Sequence, residues 1–216
     1  LVRVGHISED DHQRYLRALR DRFGAGVEEL SFETIGPAIG RELRDKAIIA
    51  TILVMLGISL YVAYAFRRVS YPIRSWKYGI VTLLTLIHDA IIPVGFFAIL
   101  GRVAGVEVDI NFVVALLVIM GFSVHDTIVV FDRIRENIML ARGNFNLPAI
   151  INESIGQTFA RSVNTSLTLV LVLLAMFFFG PVSLQYFVLT IMIGVIAGTY
   201  SSIFIASPAL LLVGRK

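Results

Sequence analysis

Hydrophobic and polar positions in this chain are segregated into blocks. Between Ala47 and Gly214 the apolar runs are long, and the charged residues collect in short segments between them. A hydrocarbon core about 30 Å thick takes about 20 residues of helix at 1.5 Å each. Windows of that length almost free of Asp, Glu, Lys and Arg fall at about 47–66, 78–100, 110–131, 162–180 and 186–212. They predict five membrane-spanning helices. The second is interrupted only by His88 and Asp89, the third only by His125 and Asp126. Pro181 to Gly214 is a stretch of 34 uncharged residues, enough for a short turn and one long helix.

The first 40 residues follow another pattern. Leu1 to Val4 alternates like the end of a strand. Ser8 is placed to cap a helix from Glu9 to Phe23, Asp10 and Asp11 suit its first turn, and Gly24 and Gly26 stop it. Val27 to Ile35 reads as a second strand before Gly36-Pro37, after which Ala38 to Lys46 runs straight into the first span. The expected architecture is an all-α polytopic membrane bundle over 41–216, preceded by a small, partial α+β domain over 1–40. A strand, a helix and a strand cannot bury a core alone. The chain also starts at Leu1, so it is expected to begin inside a longer protein that completes this domain.

Composition sharpens the exclusion. The chain is 56% hydrophobic and 16% charged, where a soluble domain carries about 25% charged residues. Five apolar runs in 216 residues leave too little sequence for a polar shell, so a water-soluble globule is excluded. Nineteen Lys and Arg against 16 Asp and Glu give a net charge of +3. The basic balance suggests nucleic acid until one sees that these residues lie between helices, where they set orientation instead. Segment 67–77 carries Arg67, Arg68, Arg74 and Lys77 without an acid, and segment 132–161 carries Arg133, Arg135, Arg142 and Arg161. Both are expected to be cytoplasmic loops, together with the Arg215-Lys216 end. Segments 102–109 and 181–185 and the N-terminal region then lie outside.

The absence of cysteine removes thiolate catalysis, disulfides and zinc–thiolate sites. The sequence has no glycine-rich phosphate loop, the four histidines form no HExxH pair, and no serine has a His–acid arrangement. No enzymatic activity, cofactor or metal is expected, and no nucleic-acid partner.

Ionisable groups inside a span are the candidate chemistry, because each is costly in hydrocarbon. Asp126 stands 16 residues after Ile110, about 24 Å along a straight helix, with His125 and Thr127 beside it. An ionised carboxyl there needs a cation to answer it, and Arg161 is the expected one. Arg161 opens the fourth span on the same side, followed by Ser162, Asn164, Thr165, Ser166 and Thr168, which could pass water or a proton. Asp126 is otherwise a structural acid bonded to a neighbouring helix. His88-Asp89 admits both readings equally, and the charged turn Asp132, Arg133, Arg135, Glu136 reads as a solvated helix end. Gly194 and Gly198, with Ser202 a turn later, form a small-residue stripe that permits close helix packing.

Gly121 to Asn137, GFSVHDTIVVFDRIREN, closely resembles the signature of the SecF branch of the SecD–SecF protein-export membrane proteins, which in turn resemble resistance-nodulation-division transporters. Gly36-Pro37-Ala38-Ile39-Gly40-Arg41-Glu42-Leu43, His88-Asp89-Ala90-Ile91-Ile92 and Arg161-Ser162 with Thr165-Ser166 follow in the same order. The resemblance implies six spans, the missing one upstream, in a bacterial or archaeal cytoplasmic membrane. It implies a subunit that uses the proton motive force to promote translocation, partnered by SecD (separate or fused), the SecYEG channel and the emerging polypeptide. Protons are then the coupling ion, Asp126 their carrier and Arg161 the functional arginine, with Thr127 and His125 beside them. His88, Asp89, Thr165 and Ser166 are additional polar positions within the membrane. Two departures stand out: His125 replaces an expected Asn, and Pro93 follows the His-Asp-Ala-Ile-Ile stretch. A passive assembly subunit, or a small-molecule exporter of the wider superfamily, is the alternative.

Overall fold

The structure, a computed structural model, describes residues 9–24, 37–67, 73–106, 108–141 and 146–214. Among these, every regular element is helical. The expected strands at 1–4 and 27–35 lie outside the described residues. So do Ser8 and the charged Arg68, Glu107, Arg142, Arg215 and Lys216.

The chain divides into two compact units, residues 1–49 and 50–216. In the first, helix α1 (Glu9–Phe23) ends at Gly24, whose φ of 79° suits glycine and whose N–H bonds the carbonyl of Arg20 at 2.8 Å. His12 and Leu16, one turn apart, are its buried positions.

The long helices are α2 (Pro37–Ala65), α3 (Ser75–Ala104), α4 (Ile110–Leu140) and α5 (Leu147–Phe179). The last span is composite: a 3₁₀ turn (Val182–Leu184), α6 (Gln185–Ser201), a π-turn (Ser202–Ala206) and α7 (Ser207–Gly214). Five helical stretches are long and apolar enough to cross a bilayer, and the chain is a multi-pass membrane protein.

The helices outrun the apolar windows. Segment 132–161, expected as a loop, is helical up to Leu140 and again from Leu147. Its charges are spaced for a helix: Arg133 pairs with Glu136, and Arg135 with Asp132, three residues apart. Asn137 bonds Ser154 Oγ at 2.8 Å and Gln157 Oε1 at 2.9 Å, joining α4 to α5. Arg133 Nε also donates to Gln157 Oε1 at 2.6 Å, so the charged turn read as a solvated end helps clamp α4 to α5.

Within the bundle, α4 and the last span occupy the centre, α3 and α5 pack against them, and α2 shows almost all of its span to the surroundings. The glycine stripe sets the central contact. A β-carbon on Gly194 would overlap the side chain of Ile119, and one on Gly198 would lie 3.0 Å from Ser123 Cβ. At the end carrying Arg74, Lys77, Arg133 and Arg135, rings of Phe66, Tyr78 and Phe131 meet at 4.8–6.2 Å and pack with Ile134, Ile138 and Leu210. The opposite end is closed by Phe97, Val106, Phe112 and Leu116, and by Leu173, Val188 and Ile191.

The π-turn has a cause in the sequence. Pro208 has no N–H for the carbonyl of Phe204, and its ring crowds that carbonyl. One wider turn before it relieves the crowding. Ser207 Oγ caps the irregularity by donating to the carbonyl of Ser202 at 3.0 Å.

Gly194→Ala is expected to destabilise the bundle by about 1–3 kcal/mol, the usual cost of overpacking. Gly121→Ala, where the added carbon meets nothing within 4 Å, should be close to neutral. Reversible unfolding in detergent compares the two.

Candidate functional site

Between the two apolar ends lies a layer of buried polar side chains, contributed by α3, α4, α5 and the last span. Asp126 of α4 is 2% exposed. Its Oδ2 accepts from Thr199 Oγ1 of α6 at 3.0 Å and from Ser166 Oγ of α5 at 3.4 Å, and those two hydroxyls meet each other at 2.5 Å. Thr127 meets Ser202 Oγ at 3.0 Å and donates to the carbonyl of Ser123 at 3.1 Å.

Asp89 of α3 is fully buried. Its Oδ2 accepts from Ser201 Oγ at 2.7 Å and from Ser123 Oγ, and its Oδ1 meets His88 Nδ1 at 2.9 Å. The His88 side chain is 36% exposed. The His–Asp pair, open to both readings in the sequence, thus belongs to the same polar layer as Asp126, one turn of α4 away through Ser123.

Most of these hydroxyls have more acceptors than protons. Thr199 has Asp126 and the carbonyl of Val195, each at 3.0 Å. Ser201 has Asp89 and the carbonyl of Gly198 at 3.0 Å. Ser166 has Asp126 and the carbonyl of Ser162 at 2.8 Å. One hydroxyl carries one proton and two lone pairs. When a carboxyl is ionised, the hydroxyls turn toward it. When it is protonated, they can bond their own helix and accept the acid proton. Both charge states are therefore satisfied by rotation about single bonds.

The other expected members lie elsewhere. Arg161 is exposed on α5, and no ion pair joins it to Asp126 among the described residues. The reason is helical phase. Ser162 and Ser166, four apart, are buried, whereas Arg161 lies five residues before Ser166, about 140° round the axis. Arg161, Asn164, Thr165 and Thr168 are all exposed and share another face, where Thr165 and Thr168 donate to the carbonyls of Arg161 and Asn164 at 2.8 Å. Of the pair Thr165 and Ser166, only Ser166 thus reaches Asp126. His125 is exposed while its neighbours Asp126 and Thr127 are buried. Ser162 Oγ is buried with no hydrogen-bond partner among the described residues, one turn from Ser166. Sequence reasoning missed Ser123, Thr199 and Ser201. The available signal was the density of hydroxyls in Gly198-Thr199-Tyr200-Ser201-Ser202, inside a span with no charge to justify them.

Comparison with known proteins agrees with the bundle. The family profile described as protein export membrane protein SecD/SecF, C-terminal, matches residues 16–216. A protein translocase subunit SecF from Thermobaculum terrenum is 54% identical over 208 residues, covering 95% of this chain and 64% of that protein. The chain thus spans somewhat under two thirds of that relative. A protein translocase subunit SecDF from Thermus thermophilus is 42% identical over 96% of this chain and 26% of its own length. A crystal structure of SecDF in a super-membrane-facing form superposes with a TM-score of 0.74 at 38% identity, covering 95% of this chain and 26% of that one.

The Thr199–Asp126 bond is testable by a double-mutant cycle with Thr199→Val and Asp126→Leu. Polar pairs within membranes couple by about 0.6 kcal/mol on average and at most about 1.7 kcal/mol, and a coupling in that range is expected in detergent unfolding.

Proposed function

We propose a function from the premise that this chain belongs to the SecD/SecF family of protein-export membrane proteins: it is part of a SecD–SecF assembly that promotes polypeptide translocation, driven by protons that bind Asp126. The observation that carries the proton step is the set of hydroxyls around Asp126, each able to serve the carboxylate or its own backbone. A merely structural acid needs only the first option.

The energy scale is adequate. One charge crossing 100 mV supplies about 2.3 kcal/mol, more than a polar pair contributes within a membrane. A proton arriving at Asp126 can therefore release Thr199 and Ser166 and favour a second packing of α6 against α4 and α5. Thr127 carries the same change to Ser202 at the π-turn. His125, exposed beside Asp126, is the neighbouring group that can hand protons over.

Arg161 acts from the other side of α5. Its face, with Asn164 and Thr168, needs polar company within a bilayer, and SecD, fused or separate, supplies it. The Thermus relative, named as SecDF, supports this partner. SecYEG and the moving polypeptide complete the setting. The basic end, with Arg74, Lys77, Arg133 and Arg135, faces the cytoplasm by the positive-inside rule, which leaves the N-terminal unit outside and the C-terminus inside.

The exposure of Arg161 also suits a passive scaffold that pairs with SecD. Proton flux in vesicles separates the two. Asp126→Asn is expected to assemble with SecD while losing proton-dependent stimulation of translocation and flux, and normal stimulation by a well-expressed variant overturns the proposal. Arg161→Ala should lose stimulation too, with Arg161→Lys retaining part of it, since lysine keeps the charge but not the planar fork.

A further inference from the structure

We propose that Asp89 is a second proton-binding carboxyl, linked to the Asp126 site through Ser123 and the Thr199–Ser202 segment, and that His88 exchanges its protons with the exterior of the bundle. This deepens the proton-driven reading above and rests on it.

The first observation is burial with excess donors. Asp89 is fully enclosed in the span, yet three side chains from three helices address it: His88 on α3, Ser123 on α4 and Ser201 on α6. Asp126 has two such donors. A histidine can bond a carboxyl and can also deliver protons to it, which a hydroxyl neighbour does far less readily.

The second observation is the route. His88 Nδ1 faces Asp89 Oδ1 while about a third of the His88 side chain remains accessible. A proton reaching the imidazole passes from Nδ1 to Oδ1. The N–H bond breaks, its electron pair stays on nitrogen, an O–H bond forms, and a neutral imidazole and a carboxylic acid result. Facing Asp89, the titratable groups among the described residues are His88 on its own helix and, one turn along α4 from Ser123, Asp126. The last span contributes only hydroxyls there: Thr199, Ser201 and Ser202.

The third observation is that the surroundings accept either charge state. Ser201 can serve Asp89 or the carbonyl of Gly198, the arrangement found around Asp126. Pro93, lacking an N–H, withholds the usual helical donor from the carbonyl of Asp89, four residues earlier.

The two carboxyls are coupled through one strip of helix. Thr199 reads Asp126, Ser201 reads Asp89, and Ser202 bonds Thr127. Protonation at either site therefore changes hydrogen bonds within one short stretch, Thr199 to Ser202, whose last residue opens the π-turn.

The test is infrared difference spectroscopy of the SecD–SecF complex in nanodiscs, comparing high and low pH in the region of the protonated-carboxyl stretch. Two buried carboxyl bands are expected. Asp126→Asn should remove one. Asp89→Glu, which keeps the acid, should displace the other, and Asp89→Asn should abolish it. Ser201→Ala should shift the frequency of the Asp89 band, and His88→Gln should change the pH at which it grows. Spectra in which Asp126→Asn removes every titrating buried-carboxyl band, or in which Asp89→Glu leaves all bands unmoved, overturn the proposal. Failure of the underlying reading looks different: Asp126→Asn then keeps normal proton-dependent translocation, whatever the Asp89 band does.

Discussion

A carboxyl in the middle of a membrane bundle has no water to solvate its charge, so the protein must do so. Much of this structure follows from that constraint. Two acids, on neighbouring helices, are enclosed at mid-bundle and met by hydroxyls, although for Asp126 the sequence suggested a guanidinium. Hydroxyls differ from a fixed cation in being satisfied by either charge state. Either charge state of such an acid can then be met by rotating side chains of the polar layer.

That layer requires helices close enough for short side chains to reach. Serine and threonine extend only one heavy atom beyond Cβ, so α4 and α6 must nearly touch, and Gly194 and Gly198 permit it. The ring cluster of Phe66, Tyr78 and Phe131 seals one side of the layer and Phe97, Phe112 and Leu116 the other. The apolar ends keep bulk water out, which strengthens every hydrogen bond within. Packing and electrostatics are one design here: the glycines set the distance, and the distance selects the hydroxyls.

The bundle was legible in the amino-acid sequence because a bilayer imposes a single strong rule on length and polarity. Five runs became five spans, and α1 has the bounds that its caps and acidic first turn suggested. Helix ends were less legible. Charges in 132–161 look like a loop until their i,i+3 spacing is weighed, and there they extend α4 to Leu140. At the site, Asp126 and Asp89 were visible as acids in apolar runs, but their partners were not. Which residue of α5 faces inward depends on a phase of 100° per residue, and one position separates buried Ser162 from exposed Arg161. Thr199 and Ser201 were hidden because a hydroxyl in a span is ordinarily satisfied by its own backbone, so only their density marked them.

The wide turn before Pro208 gives the last span a property that a regular helix lacks. A π-turn is one surplus residue wound into the coil, comparable to a dislocation in a crystal. Such a defect can migrate by exchanging one backbone bond at a time, and each step turns the residues it passes by about 100°. It begins at Ser202, the last residue of the Thr199–Ser202 stretch that touches both acids. The last span therefore holds slack next to the polar layer, and a helix with slack can rotate locally while its two ends stay anchored.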